Sequence, residues 1–347
     1  MPATVVAPKR INGHVRGKNG IYIPRKESLV ESLKDRIIQP EPKIDYIQQK
    51  NEESAMEVYR KTRNAVLLVG PTGVGKSMLV RRMAQKWGLP FLYTTCDPDK
   101  TETKMMGRTD MFVVTLKEEG EATTSHFQQF RPSNISVAGL SGEPVVLFID
   151  ELHKLRRDMD GLFYPLVNER EVNLSDHLGV GEVYRLNPET VVVFALNPYY
   201  DGGIDRISPA MRQRLATIEL EMVTDAGRLL DIVRANVGDV NDAKSAEKIC
   251  TMCASLCRVF LEQQRRSSIP ATDSDAVQIK ARLRNMLLNL SEAPSPRVLV
   301  NAVRAINAGL SPGDAARQVI FNAMTTDFGE TVNALSTMAS DVYGIRG

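Results

Sequence analysis

The stretch Leu67–Leu79, LLVGPTGVGKSML, constrains the fold more than any other part of the chain. An apolar run enters a loop carrying Gly70, Gly73 and Gly75, and the loop ends in Lys76-Ser77 where a helical pattern begins. Glycine tolerates the left-handed backbone angles that turn successive main-chain N–H groups to one side. With a helix N-terminus behind them, those groups form a site for anions. Gly70, Pro71, Thr72, Gly73, Val74, Gly75, Lys76 and Ser77 fit G-x-x-x-x-G-K-[ST], and Met78 follows inside the helix. In that pattern Lys76 neutralises charge on the β- and γ-phosphates of a nucleoside triphosphate, and Ser77 offers its hydroxyl to Mg2+. A strand before the loop and a helix after it are the context the pattern requires.

Around this loop the chain alternates. AVLLV (65–69), FLYTT (91–95), VVLFI (145–149), VVVFAL (191–196) and ATIEL (216–220) predict strands, with helical patterns between them. Continuous apolar, β-branched runs bounded by helices predict a parallel sheet covered on both faces, and so an α/β fold of the P-loop NTPase kind. Ahead of the loop, helical spacing covers 27–37 and about 44–63. From about Thr224 the β signal stops. Patterns over 225–236, 242–265, 271–290, 296–308 and 312–324, with one more near the end, predict an all-helical domain. Segments 107–143 and 171–190 exceed what a minimal fold needs, and connections of that size usually carry function.

A triphosphate site needs a metal holder and a base. Asp150 and Glu151 end the run VVLFIDELHK, and carboxylates at the carboxyl end of a parallel strand face the ligand crevice. Asp150 is expected to hold Mg2+ through water, and Glu151 to polarise the attacking water as general base. His153 reads as a structural or interface histidine. Asn197 closes VVVFALNP, where its amide either orients the water beside the γ-phosphate or caps a turn.

Composition excludes some classes. The 347 residues carry 44 basic and 42 acidic side chains, a formal charge of +2, which argues against a dedicated nucleic-acid coat or a polybasic membrane binder. No apolar run approaches the roughly 18 residues of a membrane helix, and the N-terminus has no signal-peptide core, so a cytoplasmic protein is expected. The first 26 residues hold six basic side chains and no acidic one, which reads first as a solvated arm and second as a contact for nucleic acid or an acidic neighbour. Cys250, Cys253 and Cys257 share one helix face by their spacing, with no histidine near, and read as small buried residues rather than a metal site.

Taken together the motifs resemble an AAA+ ATPase of the MoxR family, and within it the CbbQ/NorQ group. The resembling phrases are LLVGPTGVGKS, TTCDPDKTETKMMGR, LFIDELHKLRRDMDGLFYPLVNEREVNL, FALNPYY, ISPAMRQRLATIEL and GLSPGDAARQVIFNAMTTDF. The resemblance runs from about Lys61 to the C-terminus. It implies an N-terminal extension over 1–60, an AAA+ nucleotide-binding domain over 61–223 and a helical lid over 224–347. ATP and Mg2+ are the implied ligands. Arg214 matches the arginine finger that reaches into a neighbouring subunit's nucleotide, with Arg212 as the alternative and an ordinary surface arginine as the plain reading. Arg297 matches the second sensor of the lid. Independently, Ser295 and Pro296 read as the cap and first residue of a helix, where the cation of Arg297 opposes the helix dipole unless an anion or a surface ion pair answers it.

The resemblance also implies a ring, hexameric in stoichiometry, acting on a protein substrate or on a partner with a von Willebrand A domain. Residues 107–143 then correspond to the insert within helix 2, and 171–190 to the hairpin before the first sensor, both facing the pore. Phe127 and Phe130 are either substrate-gripping groups or the insert's own core. The tetrad after the acidic pair, Leu215 after Arg214 and the basic arm depart from the group's pattern. A nucleic-acid-dependent motor or loader on the same core is the second reading, and a slow nucleotide-gated scaffold a third.

Overall fold

The structure is a computed structural model. It describes residues 10–11, 14–16, 22–24, 45–118, 121–174, 183–198, 207–265 and 290–346. The helix expected over 27–37, and all but the last residue of the one expected over 271–290, lie outside the described residues.

In chain order the strands are β1 (Arg10–Ile11), β2 (His14–Arg16), β3 (Tyr22–Pro24), β4 (Val66–Val69), β5 (Phe91–Thr95), β6 (Gly107–Glu118), β7 (Glu121–Pro132), β8 (Val146–Asp150), β9 (Glu171–Asn173), β10 (Val183–Arg185), β11 (Val191–Leu196) and β12 (Ala216–Glu219). The helices used below are α1 (Glu52–Thr62), α2 (Lys76–Trp87), α3 (Ala226–Val237), α4 (Ala243–Arg265) and α5 (Pro296–Asn307).

The chain forms two compact units. One comprises Met1–Lys43, Glu53–Val69 and Val80–Ile218. Its central sheet has the order β12-β4-β11-β8-β5, with β4, β11, β8 and β5 paired in parallel. Every residue of β4, β8 and β11 is buried, which is why these strands read as continuous apolar runs rather than alternating ones. The register sets Leu196 beside Val69 and Phe194 beside Ile149, so the three strands end along one edge. Phe163 meets Phe194 edge-on with centroids 5.3 Å apart, inside the main core of this unit.

Segment 107–143 is largely a β-hairpin. β6 and β7 pair antiparallel from Gly107↔Pro132 to Glu118↔Glu121, and a short helix, Asn134–Ser141, follows. β3 joins the outer edge of β7 in parallel, with Tyr22 opposite Phe127, and β2 and β1 extend the sheet further. Residues three apart on a strand face opposite sides. Phe127 and Phe130 are therefore on opposite faces, and both are buried, Phe130 within the main core. Met111 and Val113, by contrast, are 61% and 57% exposed. Segment 171–190 contains a second hairpin, β9 with β10.

The other unit comprises Ile44–Glu52, Gly70–Leu79 and Glu219–Gly347. Among its described residues no strand begins after β12. Its core gathers Leu229 and Val233 of α3, Ile249, Cys250, Cys253 and Leu256 of α4, and Leu299 and Val303 of α5. The three clustered cysteines are buried free thiols, as their spacing on one face predicts. Helix α1 begins at Glu52, later than the helical spacing from residue 44 suggests. The Glu52 carboxylate accepts the main-chain N–H groups of Gln49 (2.6 Å) and Lys50 (2.8 Å) and the Tyr46 hydroxyl (2.7 Å), so this stretch is tied down by a side chain instead of a helical ladder.

Candidate active site

β4 ends at Val69, and the glycine loop runs from there into α2. Gly73 and Gly75 have φ of 77° and 107°, angles that a side chain resists. Space reinforces the requirement. A Cβ on Gly73 would lie 2.4 Å from Ser295 Oγ and 3.8 Å from Arg297 Cβ, and one on Gly75 would lie 3.3 Å from the Tyr46 ring. Lys76 is only 7% exposed, and its ammonium donates to the carbonyls of Gly70 (2.7 Å) and Pro71 (2.9 Å). Loop carbonyls thus satisfy a cation at the head of a helix whose first turn carries no acidic residue. Phosphate oxygens are stronger acceptors for the same donor. Thr72 is exposed, Val74 buried, and Ser77 and Met78 half-buried.

Ser295 caps α5 by accepting the Val298 N–H at 3.4 Å, Pro296 takes the first position, and Arg297 follows, exposed. The cap and the arginine of α5 therefore lie at the apex of the phosphate loop. Tyr46, which the motifs did not indicate, packs on the same loop at Gly75. No local pattern marks it, because its partner lies 29 positions along the chain.

In the other unit, Asp150 is the last residue of β8 and is 8% exposed. Its Oδ1 accepts the Glu151 N–H at 2.8 Å, and its Oδ2 accepts the Tyr93 hydroxyl at 3.4 Å. Burial, then the Asp150 charge, push the Tyr93 phenol above its usual range. Glu151 leaves the strand at φ 57°, a left-handed angle uncommon for a side-chain-bearing residue and concentrated at functional sites. Its Oε2 lies 3.1 Å from Lys154 Nζ and 3.3 Å from His153 Nε2. Asn197 is the first residue beyond β11, and its main-chain N–H donates to His153 Nδ1 at 3.2 Å. His153 is 1% exposed in this cluster, beside the acidic pair and not at an outer interface.

Arg214 is exposed. Its Nη1 donates to the Ala210 carbonyl at 2.6 Å, and its guanidinium carbon lies 5.2 Å from the centroid of the Tyr164 ring, a cation–π arrangement. The Tyr164 hydroxyl in turn sits 3.2 Å from Ser208 Oγ. Arg212 is half-buried.

The residues suit a magnesium-bound triphosphate. Two left-handed glycines and a buried ammonium make the anion cradle. Each unit also carries a hard oxygen donor of the kind Mg2+ takes, the Ser77 hydroxyl in one and the Asp150 carboxylate in the other. Among the described residues no group of three His, Cys, Asp or Glu side chains could hold a metal alone.

A parallel sheet with this loop and an acidic strand end defines a P-loop NTPase domain. The family model for the AAA domain (dynein-related subfamily) matches residues 65–215, and that for the CbbQ/NirQ/NorQ C-terminal region matches 264–342. Protein CbbQ of Hydrogenophilus thermoluteolus is 25% identical over 278 residues, 80% of this chain and 87% of that one. Protein NorQ of Paracoccus denitrificans is 23% identical over 300 residues, 86% and 94% of the two chains. The denitrification regulatory protein NirQ of Stutzerimonas stutzeri is 25% identical over 294 residues, 85% and 90%. The chain thus joins an AAA domain to a CbbQ/NirQ/NorQ C-terminal region, resembles the CbbQ/NorQ group, and is in keeping with an AAA+ ATPase of the MoxR family. No helix among its described residues is long and apolar enough to cross a membrane.

Proposed function

We propose that the protein is a Mg2+-dependent ATPase that assembles into a hexameric ring and uses hydrolysis to remodel or activate a protein partner. The observation that carries this reading is the loop itself: left-handed Gly73 and Gly75 around a buried Lys76 ammonium that rests on carbonyls where phosphate oxygens would serve it better. Likeness to CbbQ and NorQ supports the activase role, and a partner bearing a von Willebrand A domain is part of the same proposal.

In this reading residues 70–78 bind the triphosphate, and Lys76 holds its β- and γ-oxygens. Ser77 and Asp150 hold Mg2+, which withdraws charge from the phosphate oxygens when bound. Glu151 takes the proton of the attacking water, and the Asn197 amide orients that water. Arg297 answers the terminal phosphate from the lid, which resolves the unfavourable cation in the first turn of α5. Arg214, exposed and braced on Tyr164, completes the site of the adjacent subunit and makes turnover depend on assembly.

The test is Glu151→Gln. It should bind ATP as the parent does and hydrolyse it roughly 10²–10⁴-fold more slowly. Incubated with ATP, the variant should trap a protein partner in a pull-down. Unchanged turnover removes the base assignment. Recovery of nucleic acid alone, with turnover stimulated by DNA or RNA and a steep salt dependence, selects the motor or loader instead.

A further inference from the structure

We infer that His153 is a positioning residue for hydrolysis, setting where the Glu151 carboxylate stands relative to Asn197. The inference rests on the reading of Glu151 as the base. His153 is 1% exposed and is engaged from two sides. Its Nδ1 accepts the Asn197 main-chain N–H at 3.2 Å, which places the proton of the neutral ring on Nε2. That Nε2 lies 3.3 Å from Glu151 Oε2 without forming a hydrogen bond in this conformation. Lys154 Nζ approaches the same oxygen at 3.1 Å.

An apolar side chain would fill this buried position at lower desolvation cost, so the imidazole's polarity calls for a use. Glu151 needs a guide. It leaves β8 in a left-handed conformation, so the sheet's own alternation does not aim its side chain. Asn197, by contrast, is fixed at the end of β11, the strand that pairs with β8. The ring joins the two by one face each. A displacement at the end of β11 moves the Nδ1 contact, and with it the Nε2–H group beside the carboxylate. The residue that activates water and the residue that orients it are thereby set together.

Asparagine and glutamine separate the ring's two faces, since an Asn amide reaches about as far as Nδ1 and a Gln amide about as far as Nε2. We expect His153→Ala to lower kcat by between about tenfold and a hundredfold, part of the roughly 10²–10⁴ a general base supplies, with KM for ATP and the affinity for a non-hydrolysable ATP analogue unchanged. His153→Gln should recover most of that loss, and His153→Asn little. In a Glu151→Gln background, His153→Ala should add nothing, because residues acting through one group are non-additive. Analogue binding and calorimetric melting confirm that each variant is folded. If Glu151→Gln is impaired while His153→Ala and His153→Gln turn over as the parent does, this inference falls and the base assignment stands. Recovery by Asn rather than Gln would make His153 a mere brace for Asn197 and also overturn it. If Glu151→Gln itself turns over normally, the base assignment and this inference fall together.

Discussion

A Cβ on Gly73 would lie 2.4 Å from the hydroxyl oxygen of Ser295 and 2.5 Å from its Cβ. The apex of the phosphate loop thus abuts the cap of the helix that presents Arg297. Gly73→Ala meets two obstacles, this contact and a φ of 77°. A left-handed angle alone costs an alanine roughly 1–2 kcal/mol, about a tenfold effect on an equilibrium. We expect affinity for a fluorescent ATP analogue to fall by about tenfold or more. Parent-like binding by Gly73→Ala would show that the loop does not need this geometry.

Ser295→Ala removes the cap of α5 without crowding Gly73. Loss of a serine cap costs about 1 kcal/mol, which in a chain of this size lowers Tm by a few degrees. Calorimetry on the nucleotide-free protein reads it. A Tm unchanged by Ser295→Ala would mean that Pro296 and the packing of α5 hold the helix start unaided.

If subunits assemble into the proposed ring with Arg214 as its finger, Arg214→Ala should reduce turnover by roughly 10³–10⁵, the usual contribution of a guanidinium completing a phosphoryl-transfer site. Arg212→Ala should cost far less. Mixing Arg214→Ala subunits with Lys76→Ala subunits should restore part of the activity, since each supplies what the other lacks at a shared boundary. Failure of every mixing ratio to restore turnover would place the function of Arg214 within its own chain.

Phe130 is 3% exposed in the main core, and a Cβ on Gly107 would lie 2.7 Å from its ring. Phe130→Ala should destabilise the fold by about 3–5 kcal/mol in denaturant titration. Exposed Met111 is different: Met111→Ser should stay within about 0.5 kcal/mol of the parent. If Phe130→Ala leaves stability intact but abolishes partner-stimulated turnover, the ring grips substrate after all.

The buried thiols give a pH dependence. Burial pushes Cys257 up to about 12 from an ordinary 9.0, despite the opposing charge of Arg258. The folded state therefore keeps a proton that the unfolded chain releases. The associated stability is complete below about pH 9 and is lost as pH rises toward 12. Alkaline titration should show cooperative unfolding in that window, with labelling of Cys257 by a thiol reagent only as unfolding proceeds. Rapid labelling of the native protein at pH 8 would contradict the burial.

The parallel sheet was legible because strands buried on both faces have no freedom to alternate. β11 is buried at all six positions and reads as six apolar residues. The placement of Lys76 at a helix start and of Asp150 at a strand end was legible for a related reason, since loop and strand-end motifs are contiguous. Other features depend on contacts across sequence. His153 meets the main-chain N–H of a residue 44 positions away, which no local pattern encodes. The pattern over 312–324 predicts one helix, and the chain forms an α turn (Pro312–Ala315), a wider π turn (Ala316–Ile320) and a tighter 3-10 turn (Phe321–Ala323) in succession. Helical periodicity near 3.6 cannot separate those three. Phe127 and Phe130 took their meaning from the strand they occupy, which their own spacing did not reveal.

The short strand Tyr22–Pro24 shields part of the outer rim of β7. Shortened expression products that start beyond residue 24 would uncover unsatisfied amides and carbonyls there, a template on which identical molecules can stack. Preparations trimmed at the front end are thus candidates for insolubility or fibre growth even where their ATP chemistry is intact.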